Sequence, residues 1–350
     1  MLGNDDGIGL YDCLHVKWKY GYEIEYFWLS GVVLSFVGVI GLLGNIIILV
    51  VLWKPRMRKN VFYNLLFSLS CFDILFIISY GVSVAYKSLA CYPFNRIVGS
   101  VAYPLLNIGI SGSIYMTVAI SIERYLGICY LNCDYRRKAW VFIAPVFLLT
   151  LTYNIPKLIE RKFNFSNGTL IAESESFRND ETYNYVYNLW GDILFNTVLP
   201  LIALLFFNGS IMVRMKKTSK TIIQLGNSYN RKGTGRITTK ILFWIVLIFL
   251  VLHSPRVAYK LLFYLGPEDK TTWYWVRPVA RLALISNSSA NFLIYCLVGK
   301  NFRTELVKVL CPWKVTALNS NYSRNTSSTS TLKRGQEISF THLNVQQTRF

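Results

Sequence analysis

Charged residues are scarce in this chain, and acidic residues are the scarcest. Of 350 residues, 16% are charged and 53% are hydrophobic, and 18 Asp and Glu stand against 37 Lys and Arg. A soluble chain of this composition has too few polar groups to cover its surface, so we expect it to lie in lipid. With only three histidines, the sequence also shows no metal-ligand or nucleophile constellation, which argues against an enzyme.

Long apolar runs are abundant, and there are seven of them. A helix needs about 20 apolar residues to cross a bilayer, and its backbone polar groups pair within the segment. We therefore predict an all-α membrane protein, a bundle of seven transmembrane helices followed by a short amphipathic eighth helix. The runs are Tyr26–Trp53, Val61–Tyr86, Ile97–Tyr130, Ala139–Pro156, Tyr185–Met215, Thr238–Leu265 and Trp273–Val298.

The net charge of +19 is unevenly placed along the chain. Basic residues cluster after the first, third, fifth and seventh runs, whereas the N-terminal tail and the alternate loops hold most of the soluble acid. Basic loops stay in the cytoplasm, so we predict a multi-pass plasma-membrane protein with its N-terminus outside. This placement argues against nucleic acid as a partner. No cleavable signal is evident, and we expect the first span to act as the targeting signal.

The sequence predicts one membrane domain with two soft ends. The parts are an extracellular tail at 1–24, a seven-helix domain at 25–298, an amphipathic membrane-surface helix at 299–311 and a disordered cytoplasmic tail at 312–350. Within the domain we expect a polar outer loop at 157–184 and a mobile, glycine-containing inner loop at 216–237. No inverted repeat is visible, which argues against the remote alternative of a transporter or channel.

Several positions are candidates for covalent modification. Asn164 and Asn167 begin glycosylation tripeptides in the predicted outer loop. Cys13 and Cys91 are the two outer cysteines, and they form either a disulfide or two free thiols. Cys311 follows the amphipathic run and is a palmitoylation candidate.

Asp73 is the clearest polar group placed inside a predicted span. It lies about twelve residues into the second run, near the bilayer centre, where an isolated carboxylate is costly. Two interpretations stay open: an oxygen site for a small hard cation such as Na⁺, or an interhelical hydrogen-bond cluster around a protonated Asp73. The candidate partners are Asn45, Ser113, Asn287, Ser288 and Asn291.

Short motifs occur together, each in its own span and at a fitting depth. They are Gly44-Asn45, Leu69-Ser-Cys-Phe-Asp73, Glu123-Arg124-Tyr125, Pro200, Phe249 with Pro255, and Asn287-Ser-Ser-Ala-Asn291-Phe-Leu-Ile-Tyr295. Over about residues 26–311 the chain therefore resembles the rhodopsin-like family of G-protein-coupled receptors. Each motif is short, but their combination is specific.

The resemblance implies roles for these residues. Arg124, between Glu123 and Tyr125, would engage the G protein when the inner halves of the fifth and sixth spans open. Tyr295, together with Asn291, would support that state. The span-six elements would be a hinge at Pro255 and the aromatic Phe249. Asp73, Ser113, Asn287, Ser288 and Asn291 would line an allosteric sodium pocket. The Ser/Thr-rich tail would serve a receptor kinase and arrestin.

The chain also departs from the family pattern. Phe292 replaces the proline of the span-seven motif, and His253 replaces the tryptophan before the span-six proline. Asn208 stands where many members have a tyrosine, and Gly99 stands where they have a cysteine. No acid lies in 231–240, so the inactive-state lock on Arg124 would depend on Glu123 alone.

The ligand class is narrowed by further resemblances. The segments Tyr153-Asn-Ile-Pro-Lys157, Asn287–Cys296 and Gly299-Lys-Asn-Phe-Arg303 are similar to those of invertebrate FMRFamide receptors. Opsins carry a retinal-binding lysine where this chain has Ile285, and amine receptors carry an aspartate where it has Leu106. The resemblance therefore excludes both of these ligand classes. The resemblance therefore implies an extracellular neuropeptide ligand.

The predicted pocket is rich in cations. Arg256 and Lys260 are four residues apart, as are Arg277 and Arg281, so each pair shares one helix face. Four cations would favour an anionic group, which leaves a receptor for an anionic lipid or a carboxylate metabolite as the alternative. In another interpretation, Lys260 and Arg277 point outward to the interface. The other candidate pocket residues are Asp192, His253, Tyr103 and Tyr259.

The C-terminal Thr348-Arg-Phe350 fits the pattern of a PDZ-domain ligand, with Thr two residues before an apolar terminus.

Overall fold

Seven long helices follow the seven apolar runs. The computed structural model describes residues 28, 32–89, 94–130, 138–166, 169–174, 176–224, 231–266, 271–298 and 300–310. The first four long helices are α1 (Leu34–Leu52), α2 (Val61–Leu89), α3 (Phe94–Cys129) and α4 (Trp140–Ile159). Helix α5 starts with π-helical turns at Tyr183–Gly191 and Leu194–Val198 and continues as Leu199–Gln224. Helices α6 (Arg231–Leu265) and α7 (Thr271–Val298) follow, and the predicted all-α architecture is confirmed.

Within the residues that the structure describes, six of these helices are long and apolar enough to cross a membrane. The seventh, α7, has 28 residues. Its Arg277 and Arg281 and a run of Asn and Ser lower its mean hydropathy. Polar residues of this kind are tolerated in a span when they face the interior of the bundle.

The surface of the helices suits lipid rather than water. Large apolar side chains stay exposed along α1, α4 and α5; Phe36, Leu148 and Phe206 are 67%, 63% and 59% exposed. Contiguous apolar surface of this extent would drive association in water. The interior is packed by Ile114, Leu204 and other apolar side chains of several helices.

Helices α2 and α3 approach each other closely at Gly109. A Cβ atom at this position would lie 2.7 Å from the backbone nitrogen and Cα of Phe76. Helix α3 is the central element, since it packs against α2, α4 and α5.

Two predicted loops are more ordered than expected. Residues 157–184 contain an antiparallel hairpin, β1 (Arg161–Ser166) with β2 (Thr169–Ser174), in which Ser166 pairs with Thr169. Most of residues 216–237, predicted as a mobile loop, belong to α5 and α6. The helical hydrogen-bond pattern continues beyond the apolar run because charged side chains are compatible with a helix in water.

The chain divides into two units, Met1–Ile294 and Tyr295–Phe350. The second unit contains the end of α7 and the amphipathic helix α8 (Lys300–Leu310). In α8, Lys308 pairs with Glu305 at 2.7 Å.

Candidate functional site

A cavity of about 1050 Å³ opens between α3, α4, α5, α6 and α7. Six basic and two acidic side chains line it, together with tyrosines and asparagines. Of the predicted pocket residues, the structure places six on its wall: Tyr103, Arg256, Tyr259, Lys260, Arg277 and Arg281. The interpretation in which Lys260 and Arg277 point outward is therefore wrong.

Asp192 and His253 are instead buried. Asp192 accepts Arg256 Nη2 at 2.6 Å and lies 2.8 Å from Lys260 Nζ. Asn196, one turn further along α5, donates to the same carboxylate at 2.8 Å. Arg256 is 7% exposed and Asp192 6%, so the cluster is shielded from water and its charges interact strongly.

A second buried ion pair lies at the top of α4. Lys157 Nζ lies 2.8 Å from Glu160 Oε1, and the Tyr183 hydroxyl donates to the same oxygen at 2.7 Å. Arg178 approaches the other Glu160 oxygen at 3.8 Å. This pair is not among the predicted site residues, because the apolar pattern ends the fourth span at Pro156, whereas α4 continues to Ile159.

Asn188 connects the two charged clusters. Its side-chain oxygen accepts Lys157 Nζ, and its backbone carbonyl accepts Lys260 Nζ at 2.5 Å. Asn188 lies in the π-helical part of α5, where the wider turn changes which side chains face α4 and α6. The clusters of α4, α5 and α6 therefore form one continuous polar network.

The arginines of α7 have a different environment. Arg281 lies over the ring of Tyr80, with its guanidinium carbon 5.5 Å from the ring centroid. Within the described part of the chain, no acidic side chain comes within 4.0 Å of Arg277 or Arg281. These two guanidinium groups line the cavity without a counter-charge from those residues.

Asp73 is fully buried below the cavity and is surrounded by polar groups. Ser113 Oγ donates to one carboxylate oxygen at 2.7 Å, and Asn291 Nδ2 donates to the other at 2.7 Å. Ser288 is buried nearby, and Asn45 donates to its backbone carbonyl at 3.2 Å. A carboxylate and two hydroxyls are the oxygen donors that a small hard cation prefers, so the residues fit Na⁺. Asn287 is half-buried next to Ser288.

Arg124 lies near the C-terminal end of α3, between a carboxylate and an aromatic ring. Its Nε is 3.3 Å from Glu123 Oε2, and its guanidinium carbon is 3.4 Å from the ring centroid of Phe62 on α2. The expectation that Glu123 alone would hold Arg124 is incomplete, since Phe62 adds a cation–π contact. Tyr125 packs against Phe207 of α5, with ring centroids 5.3 Å apart.

The middle of α6 carries the predicted hinge. Pro255 lies inside the helix, and His253 stacks on Phe249 with centroids 4.1 Å apart. His253 is 2% exposed, and neither ring nitrogen has a hydrogen-bond partner among the described residues. The imidazole therefore occupies the place of an apolar ring.

Other predicted positions lie outside the described residues: Cys13, Cys91, Asn167, Cys311 and Phe350. Asn164 belongs to β1, and Tyr295 belongs to the helical backbone of α7. The disulfide, the modifications and the PDZ motif therefore stay predictions.

The described helices form a bundle with a cavity between them and a buried polar cluster around Asp73. The sequence matches the family described as 7 transmembrane receptor (rhodopsin family) over residues 44–295. The chain belongs to this family, which confirms the predicted resemblance and places the protein among multi-pass membrane receptors rather than enzymes.

Individual relatives include two invertebrate receptors. The FMRFamide receptor of Drosophila melanogaster is 29% identical over 301 residues, which are 79% of this chain and 53% of that receptor. An FMRFamide peptide receptor of Caenorhabditis elegans is 23% identical over 294 residues, 77% of this chain and 66% of that protein. The chain thus spans about half the length of the fly receptor.

A vertebrate receptor is similar to a comparable degree. The B1 bradykinin receptor of Macaca mulatta is 26% identical over 304 residues, 81% of this chain and 84% of that receptor.

Proposed function

We propose that this protein is a G-protein-coupled receptor for an extracellular neuropeptide of the FMRFamide-like class. The cavity of about 1050 Å³ between the helices is the observation that carries the proposal. Its volume is at the upper end of the range for small-ligand sites, so it can take a few residues of a peptide. Relatives named as FMRFamide receptors support the peptide class.

The chemistry of the cavity wall also favours a peptide. Asn107, Asn179, Asn184 and Asn188 line it, and amide side chains can both donate to and accept from a peptide backbone. Tyr103 and Tyr259 offer rings to apolar or aromatic ligand side chains. A lipid tail would instead require a continuous apolar wall.

The second candidate is a receptor for a carboxylate metabolite or an anionic lipid. The observation in its favour is the pair Arg277 and Arg281 on the cavity wall. Neither arginine forms an ion pair with an acidic side chain of the described residues. Both candidates share the receptor fold and differ in the molecule that carries the anionic group.

Signalling would follow from a shift between two populations of the helix bundle. A ligand that binds the open state more tightly would favour movement of α5 and α6 away from Arg124. Pro255 would allow α6 to bend, and Phe249 with His253 would repack below the cavity. Arg124, released from Glu123 and Phe62, would then contact the G protein, supported by Tyr295.

The remaining partners follow from the same proposal. The N-terminus would lie outside the plasma membrane, as the basic loops favour. A receptor kinase, arrestin and a PDZ protein would act on the cytoplasmic tail.

Sodium would act as an allosteric ion at Asp73. Replacing NaCl with N-methylglucamine chloride at constant ionic strength should raise agonist affinity in wild type, since the ion favours the inactive state. Asp73→Asn should abolish this dependence because it removes the charge that holds the ion. A competition-binding titration checks it, and a wild-type affinity that is independent of sodium would contradict the ion site.

Calcium and cAMP assays in transfected cells test the ligand class. The panel should contain amidated invertebrate peptides, small carboxylates and anionic lipids. We expect a peptide response that Tyr259→Ala weakens by about tenfold or more, since it removes an aromatic contact in the cavity. Phe147→Ala is the matched control, because Phe147 lies on the exposed face of α4. A response only to carboxylates or lipids would exclude the peptide and favour the second candidate.

A further inference from the structure

The six cations on the cavity wall are not equivalent. Arg256 and Lys260 share Asp192, at 2.6 and 2.8 Å. Lys157 and Arg178 share Glu160, at 2.8 and 3.8 Å. Four of the six cations therefore already face an internal carboxylate, and a ligand anion would have to compete with it.

Arg277 and Arg281 are the exceptions among the described residues. They are one turn apart on α7, so both guanidinium groups project from the same side of the helix into the cavity. The Tyr80 ring under Arg281 leaves the hydrogen-bonding edge of the guanidinium group available. Two uncompensated charges next to each other in a partly dry cavity repel, and an anion between them removes that cost.

The complementary group is a carboxylate. A planar guanidinium group can donate two parallel hydrogen bonds to a carboxylate. Two guanidinium groups one helical turn apart can therefore bind both oxygens of one carboxylate. Among the described residues of the cavity wall, Glu181 is the acid with no cation within 4.0 Å, and it is exposed just before α5 begins. It is therefore available to a basic ligand group. Among the described residues, the cavity wall thus carries one acid without an ion pair, Glu181 just before α5, and two uncompensated arginines on α7.

Resting on the proposed peptide-receptor function, we propose that Arg277 and Arg281 form an anion subsite that binds a carboxylate of the peptide. Arg256 and Lys260 do not contribute to it, because Asp192 already takes the place next to them that a ligand anion would need. The ligand is therefore a peptide with an acidic residue, bound with this residue toward α7 and its basic residue toward Glu181.

Signalling with two peptides that differ in one group tests the subsite. The probes are Phe-Met-Arg-Phe-amide extended at its N-terminus by Asp or by Asn. In wild type the Asp peptide should be about tenfold more potent, and Arg277→Gln and Arg281→Gln should each bring the two potencies together. Arg178→Gln is the control, since it removes a cation that Glu160 already neutralises and should keep the preference. Equal loss of both peptides, or a preference that survives both variants, would overturn the subsite.

A binding measurement on the purified receptor separates this inference from the proposed function. Millimolar citrate should raise the melting temperature of wild type above that in chloride of equal ionic strength. The double variant Arg277→Gln with Arg281→Gln should lose this increase, whereas Arg178→Gln should retain it. If no peptide signals, this result still supports the subsite while the peptide function fails. Stabilisation of the double variant equal to that of wild type would contradict the subsite.

Discussion

Asp192 holds together the charges of α5 and α6. Its two oxygens face Arg256 and Lys260, and Asn196 donates a third hydrogen bond. Removing one partner from a buried ion pair commonly costs about 3–5 kcal/mol, because the remaining charges stay buried without compensation. The packing of α5 against α6 therefore depends on this carboxylate.

Asp192→Asn should lower the melting temperature of the purified receptor by several degrees. The amide is nearly isosteric, so the loss comes from the charge and not from the shape. Glu181→Gln, the same change at an exposed acid of the cavity wall, should have little effect, because this carboxylate is in water and has no ion pair among the described residues. Equal melting temperatures for wild type and Asp192→Asn would show that the cluster does not stabilise the fold.

Single residues were predicted with uneven success. The sequence placed Arg256, Lys260, Arg277 and Arg281 in one pocket, and the structure places all four on the cavity wall. The sequence could not reveal which of the four are neutralised by an acid, since Asp192 and Arg256 are 64 residues apart in the chain. Their pairing depends on the rotation of α5 against α6, which the apolar pattern does not determine.

At the scale of the helices, the close packing of α3 against α2 depends on the absence of a side chain at Gly109. At Gly109 a methyl group would lie 2.7 Å from backbone atoms of Phe76, which cannot rotate away as a side chain can. At Gly127, in the same helix, a methyl group would meet nothing within 4 Å. Alanine substitutions at the two glycines therefore distinguish the effect of helix packing from the effect of helix propensity.

Gly109→Ala should destabilise the receptor by about 1–3 kcal/mol, because α2 and α3 must move apart. Gly127→Ala should be neutral or stabilise by up to about 1 kcal/mol, since alanine favours a helix over glycine. Melting temperatures of the two purified variants provide the comparison. Comparable effects of the two substitutions would contradict the close approach of the helices.

The elements were predictable to the extent that hydrophobic pattern determines them. All seven helices follow their apolar runs, but the predicted end of the fourth span at Pro156 is wrong, because transmembrane helices tolerate proline. The hairpin in the outer loop was missed even though Asn167-Gly168, a strong hairpin signal, lies between its strands. The π-helical turns of α5 depend on tertiary packing and have no comparable sequence signal.

At the scale of the whole molecule, the structure combines a cavity between the helices, a buried polar cluster around Asp73 and an arginine, Arg124, near the C-terminal end of α3. Arg124 contacts Glu123 and Phe62, and no Asp or Glu occurs from residue 193 to residue 267, which includes all of α6. A lock formed by an acid of α6, or of α5 beyond Asp192, is therefore excluded. Under the proposed function, release of Arg124 from these two contacts is the step that links the cavity to the G protein.

The central claim is that ligand binding outside is transmitted to a G protein through Arg124. Agonist-stimulated exchange of a labelled guanine nucleotide in membranes with wild type or Arg124→Ala, at equal surface density, tests it most directly. We expect Arg124→Ala to bind the agonist peptide and reach the cell surface, but to lose stimulated exchange. Stimulation by Arg124→Ala equal to that of wild type would contradict this account.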